Sequence, residues 1–223
     1  MGEDSPEEGR LVHLLVIGSS RGTGRSLVEQ AIHAGHQVRG MVRDPAQASD
    51  LERVGATAVV GDLEGDLEHA FVDVDAVAFC AGSGSSTGPD ATLRVDLHGA
   101  VRTVDCSLAQ GIERYVMLSA ISAGDPMRGR TQLRHYLAAK HAADRILLAS
   151  GLQATVVRPG GLTDDPGTGR IALGNPQLPD RGSIPRADVA ATMLACLELP
   201  ATAGAAFEII SGDTPIESAL HAL

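Results

Sequence analysis

Tryptophan is absent from this 223-residue chain, and tyrosine and phenylalanine number only two and three. No aromatic platform for stacking bases or sugars can be built from so few rings. Cysteine is nearly as scarce: Cys80, Cys106 and Cys196 form no CxxC pair and lie inside apolar segments. They read as small buried hydrophobes in a reducing compartment, not as a disulfide framework. The eight histidines are scattered without HExxH or a Cys/His cluster, which argues against metal chemistry. No apolar run approaches the roughly 20 residues of a membrane helix, and the opening MGEDSPEEGR lacks the basic region and apolar core of a secretory signal. Basic charge is in deficit, 18 residues against 28 acidic ones for a formal net charge of -10. No basic cluster stands out that would bind nucleic acid. A cytoplasmic protein with a small-molecule partner, no nucleic acid and no membrane is expected; a homodimer stays open.

What is present is an alternation. Aliphatic runs (LVHLLVIG, HQVRGMVR, ATAVVGD, DAVAFCAG, RYVMLSA, QATVVRP) are separated by helical patterns over 23–34, 46–54, 66–72, near 90–110 and from about 130 to 150. Continuous apolar runs suit strands covered on both faces, and right-handed crossovers between them give a parallel sheet with helices on either side. The predicted fold is α/β, a Rossmann-like doubly wound parallel sheet in one domain. Between Gly160 and Pro185 the chain turns rich in Gly, Pro and Asp, with only RIAL long enough for a strand. This predicts a substrate-covering loop over about 160–185, since long loops in compact domains usually carry function. A helix over 186–199 and the strand AFEIISG are expected to close the chain. The organisation is thus a disordered acidic leader over 1–10 and one domain over 11–223.

The stretch LLVIGSSRGTGRSLVEQA runs from strand through a glycine turn into helix, the context that a dinucleotide-binding loop requires. Gly18, Gly22 and Gly24 let the backbone turn tightly, approach a pyrophosphate and pack helix against strand. Ser20, Arg21 and Thr23 fill the same turn. With its GxxxGxG spacing, GSSRGTG resembles the cofactor loop of the short-chain dehydrogenase/reductase superfamily, in which a basic residue before the middle glycine often accompanies NADP. By that resemblance Arg21 would meet a 2'-phosphate, for which a planar guanidinium is well shaped. Rossmann proteins that prefer NAD place an Asp or Glu about 20 residues past the glycines; here VRGMVRDP puts Arg43 at the strand end. Asp44 is the alternative, as a ribose ligand, but it directly precedes Pro45 and better suits the start of the next helix; Arg39 lies two strand periods back and is less well placed to reach. The expected cofactor is NADP(H). Asp62 and Leu63 of VVGDL would lie beside the adenine, with the backbone of Ala81 and Gly82 close to the ribose.

At the chemical end, HYLAAKHAAD sets Tyr136 and Lys140 four residues apart on one helical face, and Ser119 ends the preceding strand. A phenol with an ordinary pKa of about 10 is a poor base at neutral pH, and a nearby ammonium is expected to lower it. Tyr136 would then exchange the proton, Lys140 would tune it and hold the ribose, and Ser119 would bond the substrate oxygen.

GLQATVVRPGGLTDDPGTG and GSIPRADVA extend the resemblance, to the atypical NAD(P)-binding branch of the superfamily with its NmrA-like, biliverdin reductase B-like and sugar-epimerase-like members. The resemblance implies that Arg158, Pro159 and Gly160 line the nicotinamide side. In one departure, VDLHGAV carries Asp96 where the family often has a catalytic Asn, which puts the family's proton relay in question and leaves a helix cap as the alternative role. The reading that follows is an NADP(H)-dependent oxidoreductase of a small carbonyl or alcohol. An NAD(P)-dependent epimerase, a non-catalytic NADP(H) sensor and a flavin or tetrapyrrole reductase remain alternatives.

Overall fold

The computed structural model describes residues 11–84 and 87–223; the predicted leader over 1–10 lies outside them. Seven strands run parallel: β1 (His13–Ile17), β2 (Gln37–Val42), β3 (Thr57–Val60), β4 (Ala76–Phe79), β5 (Arg114–Leu118), β6 (Gln153–Pro159) and β10 (Ala206–Ser211). Their spatial order is β10-β6-β5-β4-β1-β2-β3. The chain steps outward from β1 to β3, then returns to β4 on the other side of β1. That reversal opens a crevice at the carboxyl ends of β1 and β4, where open α/β sheets bind ligands.

Each face of the sheet has its own core. On one face, Leu27, Val28 and Ala31 of α1 (Gly22–His33) and Val189, Met193 and Cys196 of α6 (Arg186–Glu198) pack on Leu14, Val16 and Val116. On the other, Val104 of α4 (Ala100–Ala109) and Leu147 of α5 (Arg134–Ala149) cover Leu15, Ile17, Val77 and Phe79. Alternate residues of β1 therefore serve opposite cores. Burying each such large aliphatic side chain contributes roughly 1.5–3 kcal/mol.

The predicted parallel strands are all present, and the differences lie in irregular segments. The 46–54 stretch is a 3-10 turn followed by α2 (Ala48–Glu52), and 66–72 shrinks to a 3-10 turn over Glu68–Phe71. The helix near 90–110 starts as α3 (Pro89–Ala91), runs as a π-helix over Thr92–Gly99 and continues as α4.

The segment 160–185 is more ordered than a loop. β7 (Gly161–Thr163) pairs in parallel with β9 (Ser183–Pro185), while β8 (Arg170–Gly174), which contains RIAL, joins the main sheet antiparallel to β10. Strands of three residues have no readable periodicity. Their pairing depends instead on close approach: a Cβ on Gly160 would come within 2.3 Å of the Gly182 carbonyl oxygen. The chain also continues past the expected last strand into β11 (Thr214–Pro215) and α7 (Ile216–Leu220). Cys196 is buried, Cys80 and Cys106 are half-buried, and all three are free. No helix among the described residues is long and apolar enough to cross a membrane.

Candidate functional site

The crevice is built first by glycine. Gly18 has φ +82°, and a Cβ there would fall 2.6 Å from the Ala81 nitrogen, so the ends of β1 and β4 could not close to this distance with any side chain. Gly24 packs as tightly, its notional Cβ 2.2 Å from the Gly18 carbonyl oxygen. Ser19, which the sequence reading passed over, pins the loop: its buried hydroxyl donates to the Met41 carbonyl of β2 at 2.9 Å. Arg21 precedes α1 in extended conformation with its side chain exposed and making no capping bond. Ser20 is half-buried, and Thr23 is buried with its hydroxyl unpartnered.

Arg43 is exposed immediately beyond β2. Asp44 is occupied as a cap, its Oδ1 accepting from the Ala46 amide at 2.9 Å. Arg39 is likewise occupied, donating to the Ala70 carbonyl at 3.0 Å. Beyond β3, Asp62 accepts from the Glu64 amide at 3.0 Å and Leu63 is buried. Ala81 and Gly82 leave β4 beside Asp96, whose Oδ1 would be 3.2 Å from a Cβ on Gly82.

Asp96 does not cap a helix. It lies inside the π-helical stretch, fully buried, its Oδ2 accepting from the Ser83 amide at 3.0 Å and its Oδ1 standing 3.3 Å from Lys140 Nζ. Lys140 is the only lysine among the chain's 18 basic residues and is 3 % exposed. It donates to the Leu118 carbonyl at 3.1 Å and stands 6.0 Å from the centre of the Tyr136 ring. Burial alone would lower the pKa of Lys140, but Tyr136, Asp96 and Asp144 outweigh it and raise the net value.

One expectation is reversed here. Burial pushes the Tyr136 phenol above its ordinary range; Lys140 opposes the shift, but Asp96 and Asp144 reinforce it. The Tyr136 phenol therefore keeps its proton at neutral pH. Ser119, 4 % exposed immediately beyond β5, makes no close side-chain hydrogen bond, but its hydroxyl faces the Asp144 carboxyl and favours its ionised form.

Arg158 is buried in an ion pair with Asp144, Nε to Oδ2 at 2.9 Å, and so does not present an open face to the crevice. Asp144 was missed, although Tyr136, Lys140 and Asp144 follow an i, i+4, i+8 spacing on α5 that could have revealed it. Its carboxyl pKa is raised, because burial outweighs the opposing Arg158 charge. Pro159 and Gly160 are buried at the end of β6, where they hold backbone: Pro159 accepts from Ile121 and Gly160 donates to Ile209, both at 2.8 Å. Glu208, also missed, staples two loops, accepting from the Ser122 amide at 2.7 Å and the Leu178 amide at 2.9 Å.

These residues fit a dinucleotide. The Gly18–Ala81 approach leaves a cradle that a Cβ would fill, and the Thr23 hydroxyl in the first turn of α1 is a buried polar atom without a partner. Buried polar atoms are normally paired, so it points to a ligand.

Comparison with known proteins agrees. The NAD(P)H-binding family model matches residues 18–200. A protein of Bacillus subtilis named as an uncharacterized sugar epimerase, YhfK, is 42% identical over 214 residues, covering 94% of this chain and 99% of its own. A solved structure from Bacillus halodurans, provisionally named an NAD-dependent epimerase/dehydratase, is 39% identical with a TM-score of 0.92, covering 95% of this chain and all of its own. The oxidoreductase ylbE of Lactococcus lactis is 26% identical with a TM-score of 0.84, covering 95% of this chain and 96% of its own.

Proposed function

Because the chain belongs to the NAD(P)H-binding family, we propose that it is an NADP(H)-dependent oxidoreductase that interconverts a small carbonyl compound and its alcohol. The observation that carries this reading is the chain's sole lysine, buried between Asp96 and the Leu118 carbonyl, with Tyr136 one helical turn away. A bound nicotinamide would supply or accept the hydride. Tyr136 holds the proton for the carbonyl oxygen, and Ser119 offers the hydroxyl that orients that oxygen. Lys140 keeps a fixed positive charge beside the phenol and is available to ribose hydroxyls. Preference for the phosphorylated cofactor is supported by exposed Arg21 and Arg43, with Asp44 already engaged.

The test is NADPH consumption across a carbonyl panel by the unaltered protein and Tyr136→Phe. The phenylalanine keeps the ring and removes the proton, so turnover should fall by about 10² to 10⁴ while cofactor binding persists. Equal activity would overturn the role of Tyr136.

The name of the 42% identical relative favours a second reading, an epimerase that oxidises and re-reduces one carbon. The same side chains would serve. Cofactor stoichiometry separates the two: a reductase consumes one NADPH per product, whereas an epimerase converts substrate with no net consumption.

A further inference from the structure

The sequence GSIPRADVA is left without a role by the site described so far. β7 and β9 lie in register with Thr163 opposite Pro185, so the next residues of each, Asp164 and Arg186, emerge side by side. Arg186 Nη1 donates to Asp164 Oδ1 at 2.7 Å. Arg186 also begins α6, which is fastened to α1: Gln30 Nε2 donates to the Ala187 carbonyl at 3.0 Å. That attachment carries the arginine over the glycine-rich loop, where a Cβ on Gly22 would be 3.4 Å from Arg186 Nε.

A further observation points to a ligand: Thr23, next to Gly22, is 5 % exposed with an unpartnered hydroxyl. The Arg186 guanidinium over Gly22 and the first amides of the 12-residue α1 are donors suited to an anion with several oxygens.

The ion pair does little for the fold. The Asp164 side chain is 90% exposed and that of Arg186 31%, and exposed pairs of this kind contribute little to stability. The turn beside it has its own anchor: the buried Asp188 carboxylate accepts from the Thr168 amide at 2.9 Å and the Gly169 amide at 2.8 Å. Asp164 can therefore release its partner while residues 167–169 stay in place.

We propose, resting on the cofactor reading above, that Arg186 is a clamp for the dinucleotide diphosphate and that Asp164 occupies the clamp in the free protein as a competing anion. On binding, the guanidinium exchanges the carboxylate for diphosphate oxygens; no covalent bond changes. The motif then divides its work, Arg186 serving the ligand and Asp188 the turn.

Calorimetric titration with NADPH and NADH tests this. Arg186→Gln should weaken both dinucleotides by about the same factor, roughly tenfold for the loss of a charged hydrogen-bonding partner, because both carry the diphosphate. Asp164→Asn should tighten both severalfold, since it removes the competitor. Unchanged affinity in Arg186→Gln overturns the clamp, and a loss confined to NADPH would reassign Arg186 to the 2'-phosphate and overturn it too. Asp164→Asn binding no tighter than the unaltered protein overturns the exchange. If Arg186→Gln does not fold, Arg186→Lys, which keeps the charge without the fork, and the surface change Asp164→Asn decide the matter: Arg186→Lys binding both dinucleotides as tightly as the unaltered protein overturns the clamp. Failure of the unaltered protein to bind either dinucleotide would instead overturn the cofactor reading.

Discussion

Asp96 Oδ1 stands 3.3 Å from Lys140 Nζ, and both side chains are buried. An asparagine here could still accept from the Ser83 amide but would bring no charge to the lysine. The carboxylate acts on the proton donor as well, since Asp96 is one of the groups that raise the Tyr136 pKa.

Asp96→Asn should therefore lower the Tyr136 pKa. For carbonyl reduction the active form is the protonated phenol, so the alkaline limb of the rate profile should move to lower pH. Turnover against pH for both proteins, on a substrate found in the carbonyl panel, is the measurement; an unmoved limb would show that Asp96 does not reach the phenol.

The proposed preference for NADPH rests on two exposed guanidinium groups, Arg21 and Arg43. Arg43→Ala should weaken NADPH about tenfold or more, given roughly 1.5 to 3 kcal/mol for hydrogen bonds to charged groups, and leave NADH nearly unchanged. Equal losses for both dinucleotides would remove Arg43 from the 2'-phosphate.

The parallel sheet was legible in the sequence because its strands are covered on both faces and so appear as unbroken apolar runs, QATVVRP matching β6 at both ends. The glycine loop was legible because its constraint is local: a Cβ on Gly24 would fall 2.2 Å from the Gly18 carbonyl oxygen within the same turn. Pairings between distant segments were not. Nothing near Arg158 in sequence announces Asp144, and Glu208 reaches Ser122 across 86 positions. The sign of the Tyr136 shift was lost for a related reason. The YxxxK spacing supplies the ammonium, but burial and the two carboxylates that outweigh it come from the fold.

Lys140 offers a chemical probe because no other lysine competes for the reagent. At 3 % exposure it should resist reductive methylation in the folded protein and react once guanidinium unfolds the chain. Peptide mass spectrometry reads this directly. Ready modification of Lys140 under native conditions would mean that the site opens locally far more often than the rest of the core.

The Arg158–Asp144 pair makes a sharper demand on stability. With Arg158 6 % exposed and Asp144 fully buried, replacing Arg158 by Met strands a carboxylate whose pKa burial already raises. Removing one partner of such a pair typically costs about 3–5 kcal/mol, whereas replacing both by apolar residues is often nearly neutral. Arg158→Met should thus be strongly destabilising at pH 7, and Arg158→Met with Asp144→Leu should recover most of the loss. The single variant should also regain stability as pH falls. Its carboxyl binds a proton more readily when folded than when unfolded, so the penalty is full above the folded pKa and gone below the unfolded one. Urea denaturation at neutral and acidic pH measures all three proteins; a double variant no more stable than Arg158→Met would mean that the stranded charge is not the source of the loss.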